Sequence, residues 1–433
     1  MTDTAPPSGS IDITGIARRA VSFGLPTVDL HRILVNFALD PRSGEFKAPL
    51  NQIHHSRSLA DPNDRSVVAM NVDTPYSYAW LDLRSGPVLL TMPPHSAERY
   101  MSAQIVDLYT YIVGYVSPRT AGNLGGTYLI RGPSQGRADV PVDGVFECPT
   151  DLCLVLVRTE LFDDGDMPQV AALQDATTVT ALGDRPPPAL PDPVATVDVR
   201  RPLDLGFLRA LTWMFQFMPA LPEDRPQRDE LSSLDFGNTS PETAMDKPGF
   251  GDEVEVGLAQ GMADVLDRCA TVRSSAELFG SRTFFAGDHL TRAAGAYLGI
   301  LGNSAEEFLG VGYRADENGR PFTGAHDYAI TFAAAGLPPV AAFWSITVYD
   351  DTGHLHANEL HRYVLGSRQV PTMTRDADHG LTINISHLPP GSDQQSNWLP
   401  CPAGPFGLTF RTYLPQAAIR DGGWTAPPVR CLR

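Results

Sequence analysis

One short segment of the sequence places groups that accept and donate protons close together. Residues 71–76 read Asn-Val-Asp-Thr-Pro-Tyr and overlap a stretch, 66–72, whose alternating pattern predicts a strand. That strand would put Asn71 and Asp73 on one face, where the carboxylate can accept a proton and the amide can donate a hydrogen bond. The same pattern also fits a turn in which Asp73 caps the backbone before Pro75.

A second set of candidate residues lies near the end of the chain, around a predicted strand at 406–414. Alternation places Arg411 and Tyr413 on one face of this strand, away from its apolar side chains. Asn397 and Trp398 precede it. A guanidinium can fork onto a carboxylate and aromatic rings can stack on flat groups, so this set suits a carboxylated or polar organic ligand. The alternative is packing at the rim of a sheet.

Two further charged residues flank a predicted strand at 100–109. Asp107 shares a face with apolar side chains, and a buried carboxylate needs a partner. We expect Arg99 or Arg411 to be that partner, in a structural ion pair or in an active-site pair.

Histidines offer a metal-binding alternative. His354, His356 and Glu359 resemble an imidazole and carboxylate ligand set, but they follow a turn sequence at 350–353, which favours solvated side chains. His54 is adjacent to a second histidine, and adjacent residues of an extended segment face opposite ways. We therefore expect no metal and no cofactor, although the sequence leaves open whether His54, His354 or His356 binds a metal.

Composition narrows the class of protein. The 433 residues carry 33 Lys and Arg against 50 Asp and Glu, a formal charge of −17, which disfavours nucleic acid as a partner. Lysine occurs only at Lys47 and Lys247, and neither lies in a phosphate-binding loop, which also leaves Schiff-base chemistry little place. The absence of an export signal and of a long apolar stretch predicts a cytoplasmic protein without membrane contact.

The order of periodic patterns predicts the architecture. Strands and helices segregate instead of alternating, which indicates an α+β, mainly β protein. We predict an N-terminal β domain with a leading helix at 1–160, a helical section at 161–305 and a C-terminal β domain at 306–433. The predicted strands are 66–72, 86–92, 100–109, 111–116, 126–131, 151–158, 327–333, 340–349, 381–386 and 406–414, and the predicted helices are 26–39, 168–182, 205–218, 250–269 and 290–301.

Several motifs resemble a bacterial family that pairs domain of unknown function 1254 with domain of unknown function 1214. The N-terminal motifs lie at 71–77, 80–83, 86–88, 99–100 and 107–110; the C-terminal motifs lie at 343–349, 358, 362–363, 397–400 and 411–415. The resemblance covers residues 25 to 430 and implies two jelly-roll-like β-sandwich domains joined through a helical section. His354 and His356 fall outside its pattern. The family name assigns no chemistry.

These features together lead to three hypotheses of different classes. The first is an enzyme that acts on a small polar or carboxylated molecule by hydrolysis, elimination or cyclisation, without a metal. The second is a non-catalytic small-molecule or carbohydrate-binding protein, and the third is a metal-dependent oxygenase. A homodimer is compatible with all three.

For the enzyme hypothesis, each candidate residue receives a role. Asp73 accepts the proton, Tyr76 and Tyr349 donate or orient, and Arg99 and Arg411 hold developing negative charge. Each half supplies too few groups for a complete site, so we expect one cleft between the two β domains. The expected substrate-binding residues are Asn71, Asp107, Trp344, Asn358, Asn397, Trp398 and Tyr413.

Overall fold

The computed structural model describes residues 11–64, 69–136, 140–183, 186–234 and 249–432. Its helices are α1 (Ile13–Leu34), α2 (Pro118–Ala121), α3 (Met167–Ala176), α4 (Leu205–Phe215), α5 (Arg225–Ser233), α6 (Phe250–Thr271), α7 (Arg282–Phe285), α8 (His289–Gly299) and α9 (Ala417–Arg420). Its strands are β1 (Ile53–His55), β2 (Tyr76–Asp82), β3 (Val88–Met92), β4 (Met101–Asp107), β5 (Ile112–Val116), β6 (Gly126–Arg131), β7 (Gly144–Glu147), β8 (Leu152–Thr159), β9 (Thr178–Ala181), β10 (Phe308–Tyr313), β11 (Tyr328–Phe332), β12 (Trp344–Asp350), β13 (Val364–Gly366), β14 (Leu381–Ser386), β15 (Trp398–Pro400), β16 (Phe406–Tyr413) and β17 (Arg430–Cys431).

The N-terminal strands form a β sandwich. One sheet has the order β1-β2-β8-β4-β5 with antiparallel neighbours, and the other has the order β7-β6-β3-β9. Alternate side chains such as Leu81, Ile105 and Val155 point between the two sheets and form one apolar core. The opposite face of the β1-β2-β8-β4-β5 sheet carries Trp80 and Leu154, which other elements must cover.

The C-terminal strands form a second sandwich. A sheet of order β10-β16-β12-β13 packs on a sheet of order β15-β14-β11-β17. Aromatic side chains dominate the core between them, where Trp344 lies 5.2 Å from Phe332 and 5.9 Å from Phe410 between ring centroids. The predicted α+β class, with two β sandwiches and a helical section, is confirmed.

The long helices α1, α4, α6 and α8 pack together on the outer face of the N-terminal sandwich. Helix α1 contacts α4, α6 and α8, and their apolar side chains share one core with Trp80 and Leu154 of the sheet. Glycines permit the closest approach: a Cβ at Gly257 of α6 would lie 2.3 Å from the carbonyl oxygen of Thr14. Among the described residues, no helix is both long and apolar enough to cross a membrane.

The first predicted helix, 26–39, was wrong at its start, whereas helical structure does end at Leu39. Helix α1 begins at Ile13, where the Asp12 side chain accepts a hydrogen bond from the Gly15 amide, and the α-helix ends at Leu34 before a π-helical turn at Val35–Leu39. Proline favours the first turn of a helix, but Pro26 lies inside α1. Burial against three other helices outweighs the loss of its backbone hydrogen bond.

Two other predicted elements also require correction. Residues 66–68 of the predicted strand 66–72 lie outside the described part of the chain, and residues 69–75 form an irregular segment before β2. The predicted helix 168–182 ends at Ala176, and Thr178–Ala181 pairs with β3 as a strand. Its Thr-Val-Thr sequence is β-branched, which favours the pleated conformation.

Candidate functional site

Asp73 lies between the two sandwiches and is bound by residues of the C-terminal one. Its carboxylate accepts hydrogen bonds from the Ser345 hydroxyl at 2.8 Å and from the Tyr413 hydroxyl at 3.3 Å. The residue is only 8% exposed. An aspartate of the N-terminal half is therefore held by two hydroxyl groups of the C-terminal half.

Arg411 and Tyr349 hold the segment that carries Asp73. The Arg411 guanidinium donates to the Thr347 hydroxyl at 2.8 Å, to the Tyr349 hydroxyl at 2.6 Å and to the carbonyl oxygen of Ala69 at 3.0 Å. The Tyr349 hydroxyl donates in turn to the carbonyl oxygen of Met70 at 2.6 Å. These contacts fix the irregular segment 69–75 against the C-terminal sandwich.

Strand register explains why these side chains meet. Strands β12 and β16 are antiparallel neighbours, with Ser345 opposite Arg411 and Thr347 opposite Thr409. Alternation then places Ser345, Thr347 and Tyr349 on the outer face, together with Arg411 and Tyr413. We call Asp73, Ser345, Tyr349, Arg411 and Tyr413 the interdomain cluster.

Burial and charge control protonation within the interdomain cluster. Burial raises the pKa of the Asp73 carboxyl group, while nearby Arg411 and the two hydroxyl donors lower it by less. Burial on its own lowers the pKa of Arg411, but Tyr349 and Asp73 keep that pKa above its ordinary value. Burial also raises the pKa of the Tyr349 hydroxyl. The site thus combines a permanent cation with a carboxyl group that holds its proton to a higher pH than usual.

Asn71 and Tyr76 lie next to Asp73. The prediction that Asn71 and Asp73 share one face of a strand was wrong, because both residues lie in the irregular segment 69–75. The Asn71 side chain accepts from the Asp73 amide at 2.6 Å and donates to the hydroxyls of Thr74 at 2.8 Å and Tyr76 at 3.1 Å. The turn cap at this position is therefore Asn71, because its side chain satisfies the backbone locally. The Asp73 carboxylate remains directed toward Ser345.

Arg158 is a residue that the sequence analysis missed. It lies at the end of β8 with its guanidinium 5.3 Å from the centre of the Tyr76 ring. It donates to the side-chain oxygens of Gln104 at 2.8 Å and Asn303 at 3.1 Å and to the carbonyl oxygen of Leu301 at 2.8 Å. An arginine near the end of a mostly apolar strand was the available sequence signal.

Arg99 forms a separate ion pair. Its guanidinium makes two 2.7 Å hydrogen bonds to the Asp166 carboxylate and lies 3.9 Å from the centre of the Phe162 ring. Both charged side chains are buried. The charge of Arg99 is balanced by Asp166 in a bidentate ion pair. The structure therefore places Arg99 in an ion pair of the N-terminal sandwich and not beside Asp73, where the sequence analysis had expected it to stabilise negative charge.

Asp107 lies at the other end of β4 and pairs with neither arginine that the sequence analysis named. Its carboxylate accepts from the amides of Tyr109 and Tyr111, both at 2.9 Å, and closes the turn between β4 and β5. Burial raises its pKa to about 7, against the opposing charge of nearby Arg282 and Arg292. Its charged neighbours, Arg282 and Arg292, belong to the helical section because the hairpin turn packs against that section.

The two tryptophans among the candidates belong to the packing of the C-terminal sandwich. Trp344 points into the core, on the face of β12 opposite Ser345. Trp398 is buried, and its indole donates to the carbonyl oxygen of Ser386 at 3.1 Å. Neither indole is among the groups that contact Asp73.

Two asparagines among the candidates stabilise loops. The Asn358 side chain accepts a hydrogen bond from the Arg362 amide at 3.1 Å and donates one to the carbonyl oxygen of Arg362 at 2.9 Å. Asn397 is buried and donates to the carbonyl oxygens of Thr374 and Thr382, both at 2.8 Å, while accepting from the Thr374 amide at 2.8 Å. These contacts hold the loop before β15.

Asn397→Ala should therefore destabilise the protein by about 1–3 kcal/mol, because it removes three hydrogen bonds that a buried side chain makes to the backbone of Thr374 and Thr382. Chemical denaturation of the variant beside wild type measures this difference. A matched change at an exposed position, Asn318→Ala, should alter stability by less than about 0.5 kcal/mol. Equal stability of the Asn397 variant and wild type would contradict this structural role.

The histidines do not form a metal site in the described part of the chain. Nowhere in it do three or more His, Cys, Asp or Glu side chains group closely enough to hold a metal ion. The His55 ring is 2.7 Å from the Ser77 hydroxyl, and the His354 ring is 2.8 Å from the Thr352 hydroxyl. Burial lowers the pKa of His54 and of His356.

One solved structure has the same fold as this chain. The crystal structure of the VPA0106 protein from Vibrio parahaemolyticus has a TM-score of 0.77 at 23% identity, covering 97% of this chain and 100% of that one. An uncharacterized protein from Burkholderia cenocepacia has a TM-score of 0.44 at 11% identity, with 99% and 90% coverage. No curated protein matches the sequence. Two family models match this chain. The model described as Protein of unknown function (DUF1254) matches residues 50–181, and the one described as Protein of unknown function (DUF1214) matches residues 309–417.

Proposed function

This chain belongs to the family that pairs DUF1254 with DUF1214, and because neither description names an activity, we propose a function from the chemistry of the interdomain cluster. In this proposal, the protein is an enzyme that acts on a small polar or carboxylated organic molecule. Acid–base catalysis takes place between the two β sandwiches. The observation that supports this proposal most directly is the buried Asp73 carboxyl group, which is hydrogen-bonded to two hydroxyls and lies close to Arg411.

Asp73 has the properties of a general base or acid. Burial raises its pKa toward the pH at which proton transfer is most effective. Its partners are the Ser345 and Tyr413 hydroxyls, which a substrate hydroxyl or an activated C–H group can replace. Within this proposal, Asp73 takes the proton at the start of a hydrolysis, elimination or cyclisation.

Arg411 and the tyrosines complete the proposed chemistry. The Arg411 guanidinium is a permanent cation whose hydrogen bonds go to neutral oxygens and whose carboxyl neighbour is Asp73. Once Asp73 has taken up a proton, the charge of Arg411 is available to a developing oxyanion. Tyr349 is held by Arg411 on one side and by the carbonyl oxygen of Met70 on the other, which suits it to orienting a substrate. Tyr76 is the candidate donor on the N-terminal side.

Hydrogen exchange in D₂O tests the proposal because it detects proton abstraction even where no complete reaction follows. The purified protein is incubated with a panel of small keto acids, hydroxy acids, lactones and esters, and ¹H NMR follows loss of protons and formation of products. We expect enzyme-dependent exchange or turnover with at least one carboxylated member. A panel on which wild type and heat-denatured protein act identically would count against catalysis.

The pH dependence of that reaction provides a sharper prediction. If ionised Asp73 is the base, the rate should fall as pH decreases through its raised pKa, above the ordinary range of a carboxyl group. Ser345→Ala removes a donor that stabilises the carboxylate, so the acidic limb should move to higher pH. Thr331→Ala, an exposed hydroxyl on β11, serves as the control and should leave the profile unchanged. An acidic limb that stays in place in Ser345→Ala would argue against Asp73 as the titrating group.

The burial of the interdomain cluster favours a second candidate function, non-catalytic binding of a small molecule. Arg411 is 4% exposed and Tyr413 is 1% exposed, so a bound ligand would be enclosed. Under this alternative, a panel member raises the melting temperature but undergoes neither exchange nor turnover. The NMR experiment and a thermal melt on the same panel separate the two candidates.

A further inference from the structure

Arg158 is a buried cation surrounded by neutral groups. The residue is 3% exposed, and its hydrogen bonds go to two amide oxygens, of Gln104 and Asn303, and to the carbonyl oxygen of Leu301. No Asp or Glu of the described residues forms an ion pair with it. Burial of a charge is unfavourable unless an opposite charge or several good hydrogen bonds offset it.

Other buried arginines of this protein lie close to carboxylates. Arg99 is bonded to a carboxylate, and two more buried guanidinium groups have a carboxylate as an electrostatic neighbour. The pairs are Arg99 with Asp166, Arg411 with Asp73, and Arg292 with Asp107. The ionisable groups that influence Arg158 most are three tyrosines, Tyr76, Tyr100 and Tyr115. Of these four buried arginines, Arg158 is therefore the one for which the described residues provide no carboxylate neighbour.

The position of Arg158 connects it to the interdomain cluster. Its guanidinium lies over the Tyr76 ring, and the Tyr76 hydroxyl accepts a hydrogen bond from Asn71, whose side chain also holds the Asp73 amide. The Tyr413 hydroxyl that binds Asp73 is also within electrostatic reach of Tyr76. One continuous group of polar side chains thus runs from Arg158 through Tyr76 to Asp73.

We propose that Arg158 binds a carboxylate of the substrate, which makes small carboxylic acids the substrate class of the interdomain site. This inference rests on the proposed function. The hydrogen bonds of Arg158 to Gln104, Asn303 and Leu301 come from its two terminal nitrogens. Tyr76 is the remaining polar neighbour of the guanidinium, so a carboxylate oxygen would approach the Nε–H edge from beside Tyr76. Substrate held there lies on the Tyr76 side of the cluster, with its reactive end toward Asp73.

Asn303→Asp provides a direct test, because it changes one side-chain group and places a permanent carboxylate beside Arg158. In wild type, sodium acetate should raise the melting temperature more than sodium chloride at the same ionic strength. In Asn303→Asp, the internal carboxylate occupies the guanidinium, so the apparent Kd for acetate should rise at least about tenfold. Asn318→Asp adds the same charge at an exposed turn and should retain the wild-type response.

Two further variants keep the test decisive. Arg158→Lys retains the charge but lacks the planar fork, so it should also weaken acetate binding at least about tenfold, even if Asn303→Asp folds poorly. Asp73→Asn removes the proposed base and should retain acetate binding. A wild-type response equal to that of chloride, or an unchanged response in both Arg158-site variants, would overturn the inference. Acetate binding that depends on Asn303, in a protein without turnover, would instead support this anion site and refute the catalytic proposal.

Discussion

Asp73→Asn should lower turnover by at least about 10²-fold while the protein remains folded. Asparagine keeps an acceptor oxygen for Ser345 and Tyr413 but cannot take up a proton, so the change isolates proton transfer from hydrogen bonding. The measurement is the rate on the substrate found by NMR, per mole of folded protein, together with the melting temperature.

The control for this variant is Asp267→Asn, an exposed position on α6, which should leave the rate within a few-fold of wild type. If Asp73→Asn were equally active, Asp73 would be a structural ligand of the two hydroxyls and would leave the list of catalytic candidates. Loss of activity in both variants would point to an effect of net charge instead of proton transfer.

Arg99→Met should destabilise the protein by about 3–5 kcal/mol, because it leaves the buried Asp166 carboxylate without its partner. The stacking of the guanidinium on Phe162 is lost as well. Denaturant unfolding of wild type and variant measures the change. Turnover per folded molecule should stay within a few-fold, since the ion pair lies outside the interdomain cluster.

The double variant Arg99→Met/Asp166→Leu should recover much of that stability, because an apolar pair leaves no buried charge unpartnered. Asp421→Leu, an exposed position, tests whether loss of an aspartate stabilises the protein by itself. A single variant as stable as wild type would show that Arg99 contributes little to folding. A single variant that stays stable but loses turnover would return Arg99 to the catalytic candidates.

The local pattern of apolar and polar residues was sufficient to predict much of the fold. Alternation identified β6 and β14 at their observed boundaries, and the segregation of strands from helices indicated the α+β class. Helix α1 was misplaced because proline normally starts helices, whereas Pro26 lies inside α1, which packs against α4, α6 and α8. Contacts between elements distant in sequence are absent from a local window, so such overrides could not be predicted.

The candidate site was only partly accessible from the sequence. Residue chemistry and strand alternation selected Asp73, Arg411 and Tyr413, which the structure brings together. Ser345 was missed because a serine on a strand carries no signal until the register of β12 against β16 places it beside Asp73. Asp107 was assigned the wrong partners because a residue's face on a strand does not reveal which element packs over it.

The packing of α1 has a consequence for synthesis of the chain on the ribosome. Its apolar side, with Ala17 and Val21, is covered by α6, which leaves the exit tunnel long after α1. The nascent N-terminal sandwich therefore emerges with an uncovered amphipathic helix and an uncovered sheet face, the kind of surface that holdase chaperones bind. The native cover of α1 is complete only once α6 and α8 have been synthesised.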